Sequence, residues 1–276
     1  MRGLTSSHLD GTVLEEQKKL SVELKDEKGQ AYVAQSFLAK VAEHNQGNYL
    51  KSRGIQRDTY APFQGQGLKV GDQAVFALYE GLDAQGEGKI CSTISYRFTL
   101  EGTDQLASKK YFQKGLPRGL AVLKEPHASV SKIVVTESPI DALSHKQIHK
   151  EPAGTMYLST CGSLTEKIKE EFRNVFAATK EYDLSIVLAF DNDKSGKQMQ
   201  KEISSMAHGQ LAKTQVSVPR QGKDWNQLLQ IGLTAQEKAQ LRKMQQDLAS
   251  SGQEYELRKK QGRGPNVLGM EVPMDF

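Results

Sequence analysis

At 276 residues the chain has room for one large domain or two modest ones, and 37% hydrophobic against 25% charged content allows a sizeable core under a very polar surface. The net charge of +4, from 37 basic and 33 acidic residues, is compatible with nucleic acid without arguing for it. Cys91 and Cys161 form no CxxC pair, which excludes a zinc ribbon or finger here, and with no apolar leader and no run near the ~20 residues of a membrane span, a cytoplasmic protein is expected.

Residues 1–30 are polar and charged and read as a lead-in. Apolar residues at Val33, Phe37, Leu38, Val41 and Ala42 have helical spacing. Tyr49–Ile55 reads as a helix closing on Gly54, and residues 57–67 as a loop punctuated by Pro62, Gly65 and Gly67. Gln73–Tyr79 and Lys89–Leu100 are rich in β-branched and aromatic residues and flank a glycine-bearing stretch, which predicts an antiparallel hairpin or small meander. Lys109–Leu120 is basic with aromatics interleaved.

After Pro126 the pattern changes. Strands are predicted at Lys132–Thr136, Thr155–Ser159, Ser185–Phe190 and Thr214–Val218, alternating with helices at Pro139–His149, Leu164–Ala178 and Lys197–Ala207. That alternation means βαβ units and a parallel sheet flanked by helices. A short helix follows at Trp225–Ile231, then a charged helix over Thr234–Gln261 and a tail. The chain is therefore expected to divide into a lead-in (1–30), a smaller α+β basic subdomain (31–125), an α/β domain (126–232) and a charged helix with its tail (233–276).

In a parallel sheet all strand ends of one sense share an edge, where open α/β folds bind ligands. Glu137 ends the first of these strands, and Asp191 and Asp193 end the third. Asp224 lies in the loop after the fourth, and Asp141 one helical turn beyond Glu137. Like charges so placed are costly unless a cation sits among them. Hard oxygen ligands fit magnesium or manganese, shared between a few carboxylates and phosphates. His145 and His149, spaced i and i+4, lack a third ligand and read as surface histidines. Cys161 reads as a small buried thiol, and Trp225 as an anchor for its helix.

TESPIDAL (Thr136–Leu143), STCGSLT (Ser159–Thr165) and LAFDNDKSG (Leu188–Gly196) resemble, in order and spacing, the glutamate motif, the small-residue turn and the DxD motif of Toprim domains. Toprim domains occur in bacterial-type primases, topoisomerases and some nucleases. VPRQGKDWNQLL (Val218–Leu229) stands where primases carry a third acidic motif, with Asn226 in place of its second acid. The resemblance covers roughly residues 126–232. It implies a metal-dependent site with Glu137, Asp191 and Asp193 as catalytic residues, and Asp141 and Asp224 as further ligands of Mg2+ or Mn2+.

YLKSRGI (Tyr49–Ile55) and the basic segment Ser108–Leu123 resemble the subdomain that precedes Toprim in primases and in plasmid and mobile-element proteins. The implied function is a primase-like nucleotidyl transferase using NTPs on single-stranded DNA, beside a helicase or relaxase. Arg97, Lys109, Lys110, Arg118 and Lys194 are the candidate nucleic-acid or nucleotide contacts, their charges meeting phosphates while nearby aromatics stack on bases. A Toprim nuclease and a non-catalytic DNA-binding accessory of a conjugation or mobilisation system remain as alternatives.

Overall fold

The computed structural model describes residues 48–101, 105–179, 184–210 and 212–260, together with 32, 34–36, 38 and 182. The lead-in (1–30), the tail beyond 260 and the predicted helical positions Val33, Phe37, Val41 and Ala42 lie outside the described residues. Tyr32, residues 34–36 and Leu38 are helical, as the spacing predicts.

From residue 48 the described chain forms two short helices, α1 (Asn48–Ser52) and α2 (Arg57–Tyr60), and a 3-10 turn at Ala61–Phe63. Gly54, with φ of 80°, makes the left-handed turn that closes the first of them. Strands β1 (Leu68–Val70), β2 (Ala74–Glu80), β3 (Lys89–Glu101) and β4 (Gln105–Phe112) then form an antiparallel meander, and β5 (Leu120–Leu123) returns beside β2. The sequence pattern anticipates the β2–β3 hairpin but neither β4 nor β5. Gln105–Phe112 is mostly polar and half-exposed, so it lacks the alternation that marks a strand.

The βαβ half follows the predicted order. Strands β6 (Lys132–Thr136), β7 (Thr155–Ser159), β8 (Ser185–Leu188) and β9 (Thr214–Val216) are parallel. They are linked by α3 (Pro139–His149), α4 (Glu166–Thr179) and α5 (Lys194–Gly209), and α6 (Trp225–Ile231) and the long α7 (Ala235–Lys260) close the described chain. Strand β8 ends two residues earlier than its apolar run suggests, although the Ala189 N–H still donates to the Val135 carbonyl at 2.8 Å.

The nine strands of the described residues belong to one sheet, ordered β4-β3-β2-β5-β7-β6-β8-β9 with β1 on β2. Strand β5 joins the two halves, because Ala121 pairs antiparallel with both Leu78 of β2 and Ser159 of β7. Alternation along the strands divides the core into two layers. Val134, Tyr157 and Val187 face Ile140, Leu143 and Trp225 on one side. Ile133, Val135, Met156, Ile186 and Leu188 face Phe172, Phe176 and Ile203 on the other. Helices α3 and α6 therefore cover one face, and α4 and α5 the other. Each fully buried large side chain of this kind contributes ~1.5–3 kcal/mol of transfer free energy.

This topology places the site. Strands β6 and β8 are neighbours, yet α3 leaves β6 over one face and α5 leaves β8 over the opposite face. Connections that diverge in this way open a crevice at the carboxyl ends of the two strands. Glu137 follows β6 and Asp191 follows the Ala189–Phe190 extension of β8, so both acids stand at its mouth.

Candidate metal and nucleic-acid site

Each acid is held by local structure. Ser138 is the N-cap of α3, its hydroxyl accepting from the Asp141 N–H, which turns the chain sharply after Glu137. Asp193 caps α5, its Oδ1 accepting from the Gly196 N–H at 2.8 Å. Gly196 is needed there: a Cβ would overlap the Asp191 backbone. Asp224 caps α6 through the Gln227 N–H at 2.6 Å. The Trp225 indole N–H donates to the Ala189 carbonyl at 2.9 Å, so the α6 end is fixed against β8, and Trp225 is the expected anchor.

The five predicted ligands differ in how their oxygens are engaged. Glu137 Oε2 and Asp191 Oδ1 are buried and have no hydrogen-bond partner. Asp191 as a residue is only 7% exposed. Burial, then the charges of Asp141, Glu137 and Asp224, push its carboxyl up to about 8. Burial and Asp193 raise Glu137 as well, against the opposing pull of Lys110 and Lys223.

Asp141 is also buried and raised, mainly by desolvation and by Asp224, but it has partners. Its Oδ1 accepts from the Asn226 N–H at 3.3 Å and its Oδ2 from the Ser138 hydroxyl. Asp193 is more open. Besides its cap bond it holds the Lys223 ammonium at 3.1 Å, and the Gly196 N–H and Lys223 together keep its carboxyl below the usual range.

The strand-end acids thus act on one another electrostatically, as the parallel-sheet argument expects. Two unpartnered buried carboxylate oxygens on adjacent strands form a donor set that suits a hard divalent cation. Among the described residues, no three histidine, cysteine or carboxylate side chains form a ready-made cage. A magnesium-type ion held by two carboxylates completes its shell with water and phosphate oxygens. Asn226 faces elsewhere: its Oδ1 accepts from Gln230, and its amide donates to the Arg53 carbonyl at 2.9 Å and the Ser144 hydroxyl at 3.0 Å. It ties α6 to the amino-terminal helices.

The candidate nucleic-acid residues do not form a single patch. Because β4 is a strand, successive residues point to opposite faces. Lys110 shares a face with Tyr96 and Ser108. It reaches across to the turn after β7, where its ammonium donates to the Cys161 carbonyl at 3.1 Å. Arg118 stacks on Phe112 at 4.0 Å and reaches Ser163 of the same turn at 3.4 Å. Lys110 and Arg118 therefore converge on the Thr160–Ser163 turn, beside Glu137.

Arg97 and Lys109 pair across β3 and β4 on the opposite face, where Arg97 stacks on Tyr111 at 4.4 Å. Lys194 is exposed at the start of α5. The turn itself is tight: Cys161 and Gly162 have φ of 57° and 81°. Cys161 is the buried thiol expected, and burial pushes it up to about 12.

Other residues at the site carried no signal in the motifs. A cavity of about 260 Å³ lies between the two halves, lined by Tyr49, Arg53, Tyr96, Lys110, Asp141 and Asp224, among others. Tyr49 donates to or accepts from Ser108 at 2.8 Å. Lys223 pairs with Asp193 at 3.1 Å, and its place in GKD beside Asp224 is the one hint the sequence carries. One histidine expectation is corrected. His145 is 2% exposed, with its ring 4.7 Å from Trp225 and 4.3 Å from His149. It lies inside the α3–α6 contact rather than on the surface, because α6 folds back over α3.

Comparison with known proteins gives three results. No curated protein sequence matches the chain significantly. Among solved structures, the primase fragment of the bacteriophage T7 primase-helicase protein is 22% identical, over 69% of this chain and 71% of that one, with a TM-score of 0.39. The zinc-binding and RNA polymerase domains of the Aquifex aeolicus primase are 12% identical, over 91% of this chain and 69% of that one, with a TM-score of 0.42. The Toprim-like family model matches residues 134–229, the segment that runs from β6 to α6 and holds every acid described above. Residues 134–229 are a Toprim-like domain.

Proposed function

We propose that the chain is a metal-dependent, primase-like nucleotidyl transferase that uses NTPs on single-stranded DNA. The observation that carries this reading is the pair of buried, unpartnered oxygens, Glu137 Oε2 and Asp191 Oδ1, at the carboxyl edge of the Toprim-like sheet. Glu137 and Asp191 hold a Mg2+ or Mn2+ ion, with Asp193 and Asp224 shaping the field around it. When bound, such an ion lowers the pKa of an attacking hydroxyl and offsets charge on phosphate oxygens.

The chain's own residues do the rest. Lys110 and Arg118 offer positive charge to phosphates beside Glu137, and Phe112 and Tyr96 give that side an aromatic floor. The basic segment, residues 31–125, holds the template strand. Arg97 and Lys109, on the far face of β3–β4, track its backbone, and Lys194 meets phosphates near the DxD turn. The setting is the cytoplasmic replication or transfer of a plasmid, phage or other mobile element, beside a helicase or relaxase.

The test is de novo synthesis on single-stranded DNA with Mg2+ and NTPs. Wild type makes short oligonucleotides, and Asp191→Asn and Glu137→Gln make none. Metal-dependent cleavage of nucleic acid without NTPs, lost in the same variants, would replace transfer with hydrolysis. Salt-dependent DNA binding with neither activity, unchanged in Asp191→Asn, would make the chain a binding accessory.

A further inference from the structure

The DxD turn is built around a lysine. The Asn192 N–H, between the two aspartates, donates to the Lys223 carbonyl at 2.7 Å. The Lys223 N–H in turn donates to Gln227 Oε1 at 2.5 Å on the first turn of α6. The residue is thus pinned at both backbone groups between the β8 edge and α6. Its ammonium lies 3.1 Å from Asp193 Oδ2, and its charge acts on Glu137 and Asp191 as well. Asp193 is doubly engaged, with Oδ1 on the Gly196 N–H and Oδ2 on this ammonium. Glu137 and Asp191 each keep one buried oxygen with no partner.

Two positive charges are useful at a phosphoryl-transfer site, one for the attacking oxygen and one for the leaving group. Paired metal ions are one solution, and an ion beside a lysine is another. Asp193, the second acid of the DxD, already has both oxygens engaged, one by the Gly196 N–H and one by the Lys223 ammonium. We infer that Lys223 supplies the second positive charge of this site: Glu137 and Asp191 hold a single divalent cation, and Asp193 stays with the lysine. The inference rests on the cation reading proposed above. It makes Lys223 the group that neutralises the departing phosphate oxygens, and it gives the DxD two distinct tasks, cation for its first acid and ammonium for its second.

The full chain titrated with Mn2+ alone, free ion being counted by electron paramagnetic resonance, tests this without activity. Wild type binds one ion, and Asp191→Asn binds none. Lys223→Met frees Asp193 and binds a second ion, with the first held roughly tenfold more tightly once the nearby charge is gone. Lys223→Arg restores the count of one. The Lys223 side chain is 61% exposed, so these variants keep the wild-type melting temperature in chelator.

Two ions on wild type, or an unchanged count and affinity in Lys223→Met, would overturn the lysine assignment while leaving the cation site standing. No ion on wild type, or an ion retained by Asp191→Asn, would overturn both.

Discussion

Asp191→Asn separates stability from function at this site. In the ion-free protein the Asp191 carboxyl is buried beside Glu137, Asp141 and Asp224, and its pKa rises to about 8. The unfolded chain leaves the same group at its ordinary value near 3.8. Because the folded value lies above the unfolded one, the native state binds the extra proton, and its stability falls as the pH rises from about 4 to about 8. At pH 7 the group lies about three pH units above its unfolded pKa, which corresponds to a ceiling of ~4 kcal/mol lost to this one carboxyl. The effective dielectric of a protein site and relaxation of the neighbouring carboxyls reduce this, and roughly half of it, ~2 kcal/mol, is expected. Asparagine keeps the shape and removes the charge. In chelator at pH 7, Asp191→Asn should therefore melt about 4–6 °C above wild type. Adding millimolar Mg2+ or Mn2+ should raise the wild-type melting temperature and leave the variant where it was. Differential scanning fluorimetry with and without cation reads both effects. A variant that melts below wild type in chelator would show that the carboxylate is not held against repulsion. Equal stabilisation of both proteins by cation would remove Asp191 as a ligand.

Trp225→Phe leaves the Ala189 carbonyl without its donor and opens space between α3 and α6, for a loss of ~1–3 kcal/mol in urea unfolding. Asp224 precedes it, so Mn2+ affinity should weaken in the same variant. His145 is held well below its ordinary value, to about 3, by burial first and then by His149 and Lys132, with Tyr157 and Trp225 as its other neighbours. Its folded pKa lies below the unfolded one, so stability is complete above about pH 6.5 and falls on acidification toward pH 3, by at most ~1.4 kcal/mol per pH unit. His145→Leu should flatten that slope in melts between pH 4 and 7, and an unchanged slope would assign the acid sensitivity elsewhere.

Some of this was legible in the residues and some was not, for identifiable reasons. Glu137 and Asp191 could be found because each follows an apolar run, and parallel strands put their ends on a common edge. That they are neighbours required the order β7-β6-β8, which nothing in the apolar runs encodes. The split of Lys109 from Lys110 required β4, an edge strand whose polar residues hide its period. His145 was misplaced because i and i+4 spacing tells which side of α3 it occupies but not that α6 covers that side. Lys223 sits in a loop of glycine and polar residues. Its significance comes from a hydrogen bond to Asn192, thirty-odd positions earlier in the chain.

Buried polar groups without partners gather in large part around the crevice. Away from the crevice most buried polar groups of the described residues meet partners, Ser92 Oγ and Arg97 Nε being exceptions. Glu171 accepts from the Gly81 and Leu82 N–H groups at 2.9 and 3.1 Å, bracing the β2–β3 loop against α4. Thr136 bonds Ser159 at 2.7 Å across β6 and β7. Around the crevice the pattern reverses. Arg53 Nε and the Tyr96 hydroxyl, which belong to residues lining the cavity, are buried without partners, as are Glu137 Oε2 and Asp191 Oδ1 beside it. Each such group costs ~1–3 kcal/mol in an empty protein, more when charged. Four of these groups gather at the crevice, acceptors at the strand ends and donors on the amino-terminal side of one cavity. A ligand that answers both must carry positive charge toward Glu137 and Asp191, and hydrogen-bond acceptors toward Arg53 and Tyr96. A divalent cation bound to a phosphate-bearing molecule has that polarity; a bare cation, or a neutral ligand, satisfies only one side.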